Sequence, residues 1–134
     1  LHPTPLYSVL LEDLLDAGID VHYAVNITGH GWRKFMRAPQ PWSYNIVAMP
    51  PRPPIFDFIQ KEGNIDDREM YGNYNMGAGY GFYVNRRHVD RARVVGKAWG
   101  LDHYEDIHTP ADGIKRVVIS PLRLEFDGEE LNIR

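Results

Sequence analysis

Cysteine is absent from the 134-residue chain. That excludes a disulfide framework, a thiol nucleophile and any zinc site built on thiolates. No apolar run approaches the roughly 20 residues of a membrane-spanning helix, so no membrane partner is expected. An excess of basic charge is missing too. Lys and Arg number 15 against 18 Asp and Glu, for a net charge of −3, and the two signs are interleaved. Nucleic-acid binders carry a basic stripe with aromatic residues set into it, so no nucleic-acid partner is expected. The chain also has no P-loop, and the glycines at 77, 79 and 81 alternate instead of following G-x-G-x-x-G. A strand pattern rather than a helix start comes after them, which rules out a dinucleotide fingerprint. A cytoplasmic protein fits this composition.

What is present suits one domain: 43% hydrophobic residues at this length suffice for a core. Residues 6–17 place Leu6, Val9, Leu10, Leu11 and Leu14 as an amphipathic helix that stops at Gly18. Alternation over 19–27 reads as a strand, and 42–49 as a second one. Pro50, Pro51, Pro53 and Pro54 form a stiff connector into a helix over 55–62, with Ile55, Phe58 and Ile59 on one face. A helical turn opens at 66–69, and 82–84 continues as a strand. The basic helix 87–99 turns Val89, Ala92, Val95 or Val94, and Trp99 inward, and its charges read as a solvated face. Strands over 115–120, 122–126 and 130–133 follow, the last two forming a hairpin about Asp127 and Gly128. The sum is an α+β fold, a layered α/β sandwich with a mixed, largely antiparallel sheet and helices packed on it.

The most informative stretch is residues 26–37. A strand runs into Thr28, Gly29, His30 and Gly31, and Trp32, Phe35 and Met36 then fall on one face of a helix. Arg33, Lys34 and Arg37 are expected on the remaining surface. A strand turning through glycines into a helix is a ready place for an anion. An ordinary turn with solvated basic residues is the competing reading. Residues 69–81 are the second such stretch. Gly77 and Gly79 beside Asn75 let a backbone approach a polar ligand or pack tightly on another element. His103, Glu105, Asp106 and His108 invite a metal, but the spacing between the histidines suits neither a helix face nor a strand face, and no metal site is expected.

In these two stretches the chain resembles the C-terminal domain of aminoimidazole ribonucleotide synthetase, or phosphoribosylformylglycinamidine cyclo-ligase. That family carries a strand into T-G-G-G-L or T-G-G-G-F, and later E-M-Y followed by F-N, a variable residue and G-x-G. The counterparts here are Thr28 to Trp32, then Glu69, Met70 and Tyr71, then Tyr74, Asn75, Gly77 and Gly79. Pro3, Thr4, Leu6 and Tyr7 match the family's P-T-x-I-Y, and 56–65 resembles F-x-W-L-Q-x-x-G-x-V. His30 departs from the family's middle glycine, and residues 32–37 from its more neutral turn. The upstream H-S-N-G segment has no counterpart.

The resemblance implies a single domain that is a C-terminal fragment of a two-domain enzyme, a view that fits an opening on Leu1. It further implies ATP-dependent closure of formylglycinamidine ribonucleotide to aminoimidazole ribonucleotide in purine biosynthesis. ATP and Mg2+ would be held mainly by the absent N-terminal domain, the full-length enzyme would be a homodimer, and the isolated chain would be inactive. Thr28, Gly29, His30, Gly31, Arg33, Arg37, Asn75, Gly77 and Gly79 would line the substrate cleft, with Arg33 and Arg37 as phosphate partners. A divergent paralogue among selenophosphate synthetase, thiamine monophosphate kinase and hydrogenase maturation proteins is the alternative. A stand-alone non-catalytic binding domain is a third reading.

Overall fold

In the computed structural model the described residues are 5–100, 106–108, 113–128 and 130. They fall into two compact units, Leu1–Ala24 with Phe82–His103, and Val25–Gly81 with Tyr104–Arg134. Both are built from short helices and strands, so the α+β expectation holds. Helix α1 (Tyr7–Asp16) and strand β1 (Val21–Asn26) begin the chain, and β3 (Tyr80–Val84) pairs with β1 in a two-stranded sheet. The boundary between the units passes through both strands.

The first unit is held by one apolar seam. Leu10 and Leu14, four residues apart on α1, are buried with Ile19. Ala92, Val95 and Trp99 of α4 (Val89–Ala98) and its C-cap pack against them. The seam is narrower than the leucine pattern predicts, because Leu6 and Val9 lie toward solvent at 69% and 38% exposure. Gly18 closes α1 with a φ of 69°, a left-handed value that suits glycine. The Trp99 indole donates to the Asp13 carboxylate at 2.8 Å and ties the end of α4 to α1. On the basic helix Arg91 and Lys97 are exposed, as a solvated face requires.

The second unit contains a four-stranded sheet in the order β4-β2-β5-β6. Its strands are β2 (Ser43–Ile46), β4 (Asp106–His108), β5 (Arg116–Ile119) and β6 (Leu124–Asp127). The β2–β4 and β5–β6 pairs are antiparallel and β2–β5 is parallel, giving the mixed, largely antiparallel sheet expected. Register brings Tyr44 beside Val117 and Ile46 beside Ile119, with Val117 opposite Phe126. Alternation along each strand then puts all five side chains in the core.

The same unit holds α2 (Pro54–Gly63), α3 (Asp67–Asn73) and a 3-10 helix, Gly31–Arg37. Pro54 occupies the first turn of α2, as the connector predicts. Its apolar residues do not all find cover, however, since Ile55 and Phe58 are 53% and 61% exposed. Asp66 caps α3 by accepting from the Glu69 amide at 2.8 Å.

The β5–β6 hairpin turns at Ser120–Leu122 and Arg123. The further hairpin expected about Asp127 and Gly128 needs residues 131–133. Asp127 and Glu130 bond reciprocally, each side chain accepting the other's amide, as in a capping box. An Asp-Gly pair followed by Glu serves that role as readily as a hairpin. Residues 131–133, the expected return strand, lie outside the described residues, as do His103 and Glu105.

Leu14→Ala should lower stability by about 3 kcal/mol, because it empties the centre of the α1 seam. Urea denaturation measures this, and a loss below about 1 kcal/mol would contradict the packing described.

Candidate functional site

Residues 26–37 leave β1 through Thr28 and Gly29, both exposed, and enter the 3-10 helix at Gly31. A 3-10 turn takes about three residues, so side chains eclipse every third position. This differs from the α-helical spacing predicted. Trp32 and Phe35 stack on one edge, Arg33 and Met36 on the next, and Lys34 and Arg37 on the third. The expectation that all three cations lie on the surface is therefore corrected: Arg33 and Lys34 are each only 7% exposed, and Arg37 alone is open to solvent.

Burial of this segment is specific. The Trp32 indole meets the Tyr71 ring edge-on at 4.9 Å and donates to the Asn75 carbonyl at 2.8 Å. Arg33 Nε donates to the Gly72 carbonyl at 2.9 Å and, more weakly, to that of His30 at 3.4 Å. Its Nη1 reaches the Glu130 carbonyl at 3.1 Å and its Nη2 the Asn73 side chain at 3.2 Å. Every guanidinium nitrogen thus already donates within the chain. The two informative stretches come together through these contacts and through the Ile27 amide, which donates to the Gly79 carbonyl at 2.9 Å.

The glycines divide by what surrounds them. Gly31 has φ 51°, and a Cβ there would stand 2.2 Å from the Tyr71 carbonyl oxygen and 2.7 Å from the Gly72 carbon. Nothing larger fits against α3. Gly77 has φ 98° and lies against Pro53 and the Pro51 carbonyl, so the proline connector explains it. The Asn75 side chain accepts from the Gly77 amide at 3.1 Å and shapes that turn. Gly29 is different: nothing lies within 4 Å of where its Cβ would be. The open edge of the turn consists of Thr28, Gly29, half-buried His30 and Arg37. Gly31, Arg33, Asn75, Gly77 and Gly79 stand behind it.

Lys34 is the residue that sequence reasoning passed over. Its stem is buried, and its ammonium donates to the Thr28 hydroxyl. Burial, with the Arg37 guanidinium nearby, holds it below the usual lysine range. The signal available in the sequence was the three-residue step from Gly31 to Lys34 to Arg37, which shares an edge only at the 3-10 period.

A shallow cavity of about 240 Å3 opens beside Arg33, lined among others by Arg68, Glu69, Asn73 and Glu130. Arg68 is already paired with Glu130 at 2.7 Å and stacked over Phe126. Among the described residues, no group of three or more His, Cys, Asp or Glu side chains could hold a metal ion. Nor is any described helix long and apolar enough to cross a membrane.

An α+β chain with a polar turn docked on a short helix is similar in sequence to enzymes named as ligases. Those relatives are phosphoribosylformylglycinamidine cyclo-ligases. The chain is 33% identical over 132 residues to that of Methanocaldococcus jannaschii and 36% identical over 137 residues to that of Methanococcus vannielii, each match covering 98% of the chain. It is 38% identical over 98 residues to the Macrococcus caseolyticus protein, a match covering 69% of the chain. The matches span 35%, 38% and 28% of those three relatives, so the chain corresponds to roughly a third of their length. No model of a known protein family matches it. The chain is a homologue of one segment of phosphoribosylformylglycinamidine cyclo-ligase.

Two stability tests follow from this geometry. Gly31→Ala should cost about 3 kcal/mol or more while Gly29→Ala stays within about 0.5 kcal/mol, measured by chemical denaturation. Equal costs would contradict the placement of the turn. Lys34 is also informative. A lysine whose folded pKa is lowered binds its proton less tightly than the unfolded chain does. Stability therefore rises with pH between the lowered value and the ordinary one near 10.4, and below that window the charged form costs stability. Lys34→Met should thus stabilise the ligand-free chain at neutral pH by about 1 kcal/mol. A comparable fall in thermal stability is the contrary result.

Proposed function

We propose that this chain is the C-terminal part of a phosphoribosylformylglycinamidine cyclo-ligase. The observation that carries the reading is similarity to two enzymes of that name along 98% of the chain. The relatives' shared name favours it over the selenophosphate synthetase branch and over a non-catalytic binding domain. The reaction is the ATP-dependent closure of formylglycinamidine ribonucleotide. ATP transfers its γ-phosphoryl group to the formyl oxygen and leaves as ADP. The amidine nitrogen then attacks the activated carbon, inorganic phosphate departs with that oxygen, and loss of a proton leaves the imidazole ring of aminoimidazole ribonucleotide. This is a step of purine biosynthesis in the cytoplasm.

In this reading the chain contributes binding and orientation. Thr28, Gly29, His30 and Arg37 form the substrate-facing edge, with the Arg37 guanidinium matched to a phosphate group. Gly31, Arg33, Asn75, Gly77 and Gly79 belong to the same wall and hold its shape. ATP and Mg2+ belong mainly to a domain outside this chain. A homodimer is the proposed state of the whole enzyme, and the isolated chain is proposed to be inactive.

The test uses the full-length protein that contains this chain. ADP release should depend on formylglycinamidine ribonucleotide, and Arg37→Gln should raise KM for that substrate about tenfold, the scale of one lost charge-assisted hydrogen bond. ADP release without the ribonucleotide, or an unchanged KM, would count against the reading.

A further inference from the structure

The 3-10 helix behind the proposed edge is held by a residue far along the chain. The Glu130 carbonyl accepts from Arg33 Nη1 at 3.1 Å, across 97 positions of sequence. Arg33 Nε reaches the His30 carbonyl at 3.4 Å, so this guanidinium touches the ligand-facing edge itself. A carbonyl fixes a side chain only when its own backbone is fixed. Glu130 meets that condition. Its carboxylate oxygens accept from Arg68 Nη2 at 2.8 and 2.7 Å, and one of them also accepts the Asp127 amide at 3.1 Å. The Asp127 carboxylate in turn accepts the Glu130 amide at 3.2 Å. Arg68 is anchored as well, donating from Nη1 to the Glu125 carbonyl at 2.6 Å and lying over the Phe126 ring at 4.7 Å. The amide, carbonyl and both carboxylate oxygens of Glu130 are therefore all engaged. Stability alone does not account for this. The Arg68 and Glu130 side chains are 48% and 27% exposed, and a pair so open to water adds little to folding.

We propose that Glu130 is a positioning residue for substrate, acting through its carbonyl on Arg33 and so on His30 and Arg37. Arg68 is the clamp that holds Glu130 in place for this. Without the carboxylate, residue 130 loses its tie to α3 and its carbonyl moves off Arg33 Nη1. That nitrogen then turns to water. The Gly72 carbonyl and the Asn73 side chain still hold the rest of the fork, so the edge loosens and the unit stays folded. Binding of the group that faces the edge suffers, while chemistry supplied from outside this chain does not. The identity of that substrate rests on the cyclo-ligase reading; the clamp on Arg33 rests on the contacts themselves.

One test uses the full-length protein that contains this chain. Glu130→Ala should raise KM for formylglycinamidine ribonucleotide about fivefold, with kcat and KM for ATP within about twofold of wild type. Glu130→Gln still accepts from Arg68 and from the Asp127 amide, and should stay within about twofold throughout. Arg68→Ala should move KM in the same direction, and the double variant should fall short of the product of the two effects. An unchanged KM in Glu130→Ala, a loss of kcat in its place, or fully multiplicative losses overturn the proposal. A second test needs no turnover. In NMR spectra of the 134-residue chain, Glu130→Ala should speed exchange of the Arg33 Nε–H with water about tenfold and shift the His30 amide signal. Lys97→Ala, in the other unit, should do neither. Unchanged exchange and an unmoved His30 signal in Glu130→Ala overturn the proposal. ADP release that ignores the ribonucleotide defeats the cyclo-ligase reading and leaves the exchange result to decide the clamp, so the two fail separately.

Discussion

The second unit depends on the seating of one seven-residue 3-10 helix against α3. Gly31 makes the approach possible because no Cβ stands between it and the backbone of residues 71–73. Arg33 then fixes it, with one side chain joined to the Gly72 carbonyl, the Asn73 side chain and the Glu130 carbonyl. Removing such a donor leaves buried acceptors without partners, a larger loss than the net value of any one bond. Trp32 adds the apolar part of the joint, filling the space beside Tyr71 while its N–H satisfies the Asn75 carbonyl.

That seating decides which atoms face outward. With Trp32, Arg33, Lys34, Phe35 and Met36 committed to the interior, the exposed part of the turn narrows to Thr28, Gly29, the edge of His30 and Arg37. Rigid support behind a small polar edge is what positioning a substrate group requires. The same arrangement has a stability cost at Lys34, where a charge is held out of water beside another charge.

Much of the fold was legible in the sequence because its helices carry plain punctuation. Pro54 opens α2, Asp66 caps α3 and Gly18 closes α1, each by a local mechanism that owes nothing to the rest of the chain. Strands β2, β5 and β6 of the mixed sheet were legible from β-branched and aromatic runs. What could not be read was the period of residues 31–37. The Trp, Phe and Met spacing suits both 3.6 and 3.0 residues per turn as far as the apolar residues go, but the two periods send Arg33 and Lys34 to different places. Only tertiary packing against α3 selects between them. The roles of Gly31 and Gly77 were hidden for a similar reason, since each depends on a backbone distant in sequence.

Placement of an anion at the turn tests the account most directly. Crystals of the chain soaked in arsenate, an anomalously scattering analogue of phosphate, should show a peak within hydrogen-bond reach of Thr28 Oγ1 and the Arg37 guanidinium. A peak at the cavity between Arg68 and Glu69, with none at the turn, would contradict the claim that residues 28–37 form the ligand-facing edge.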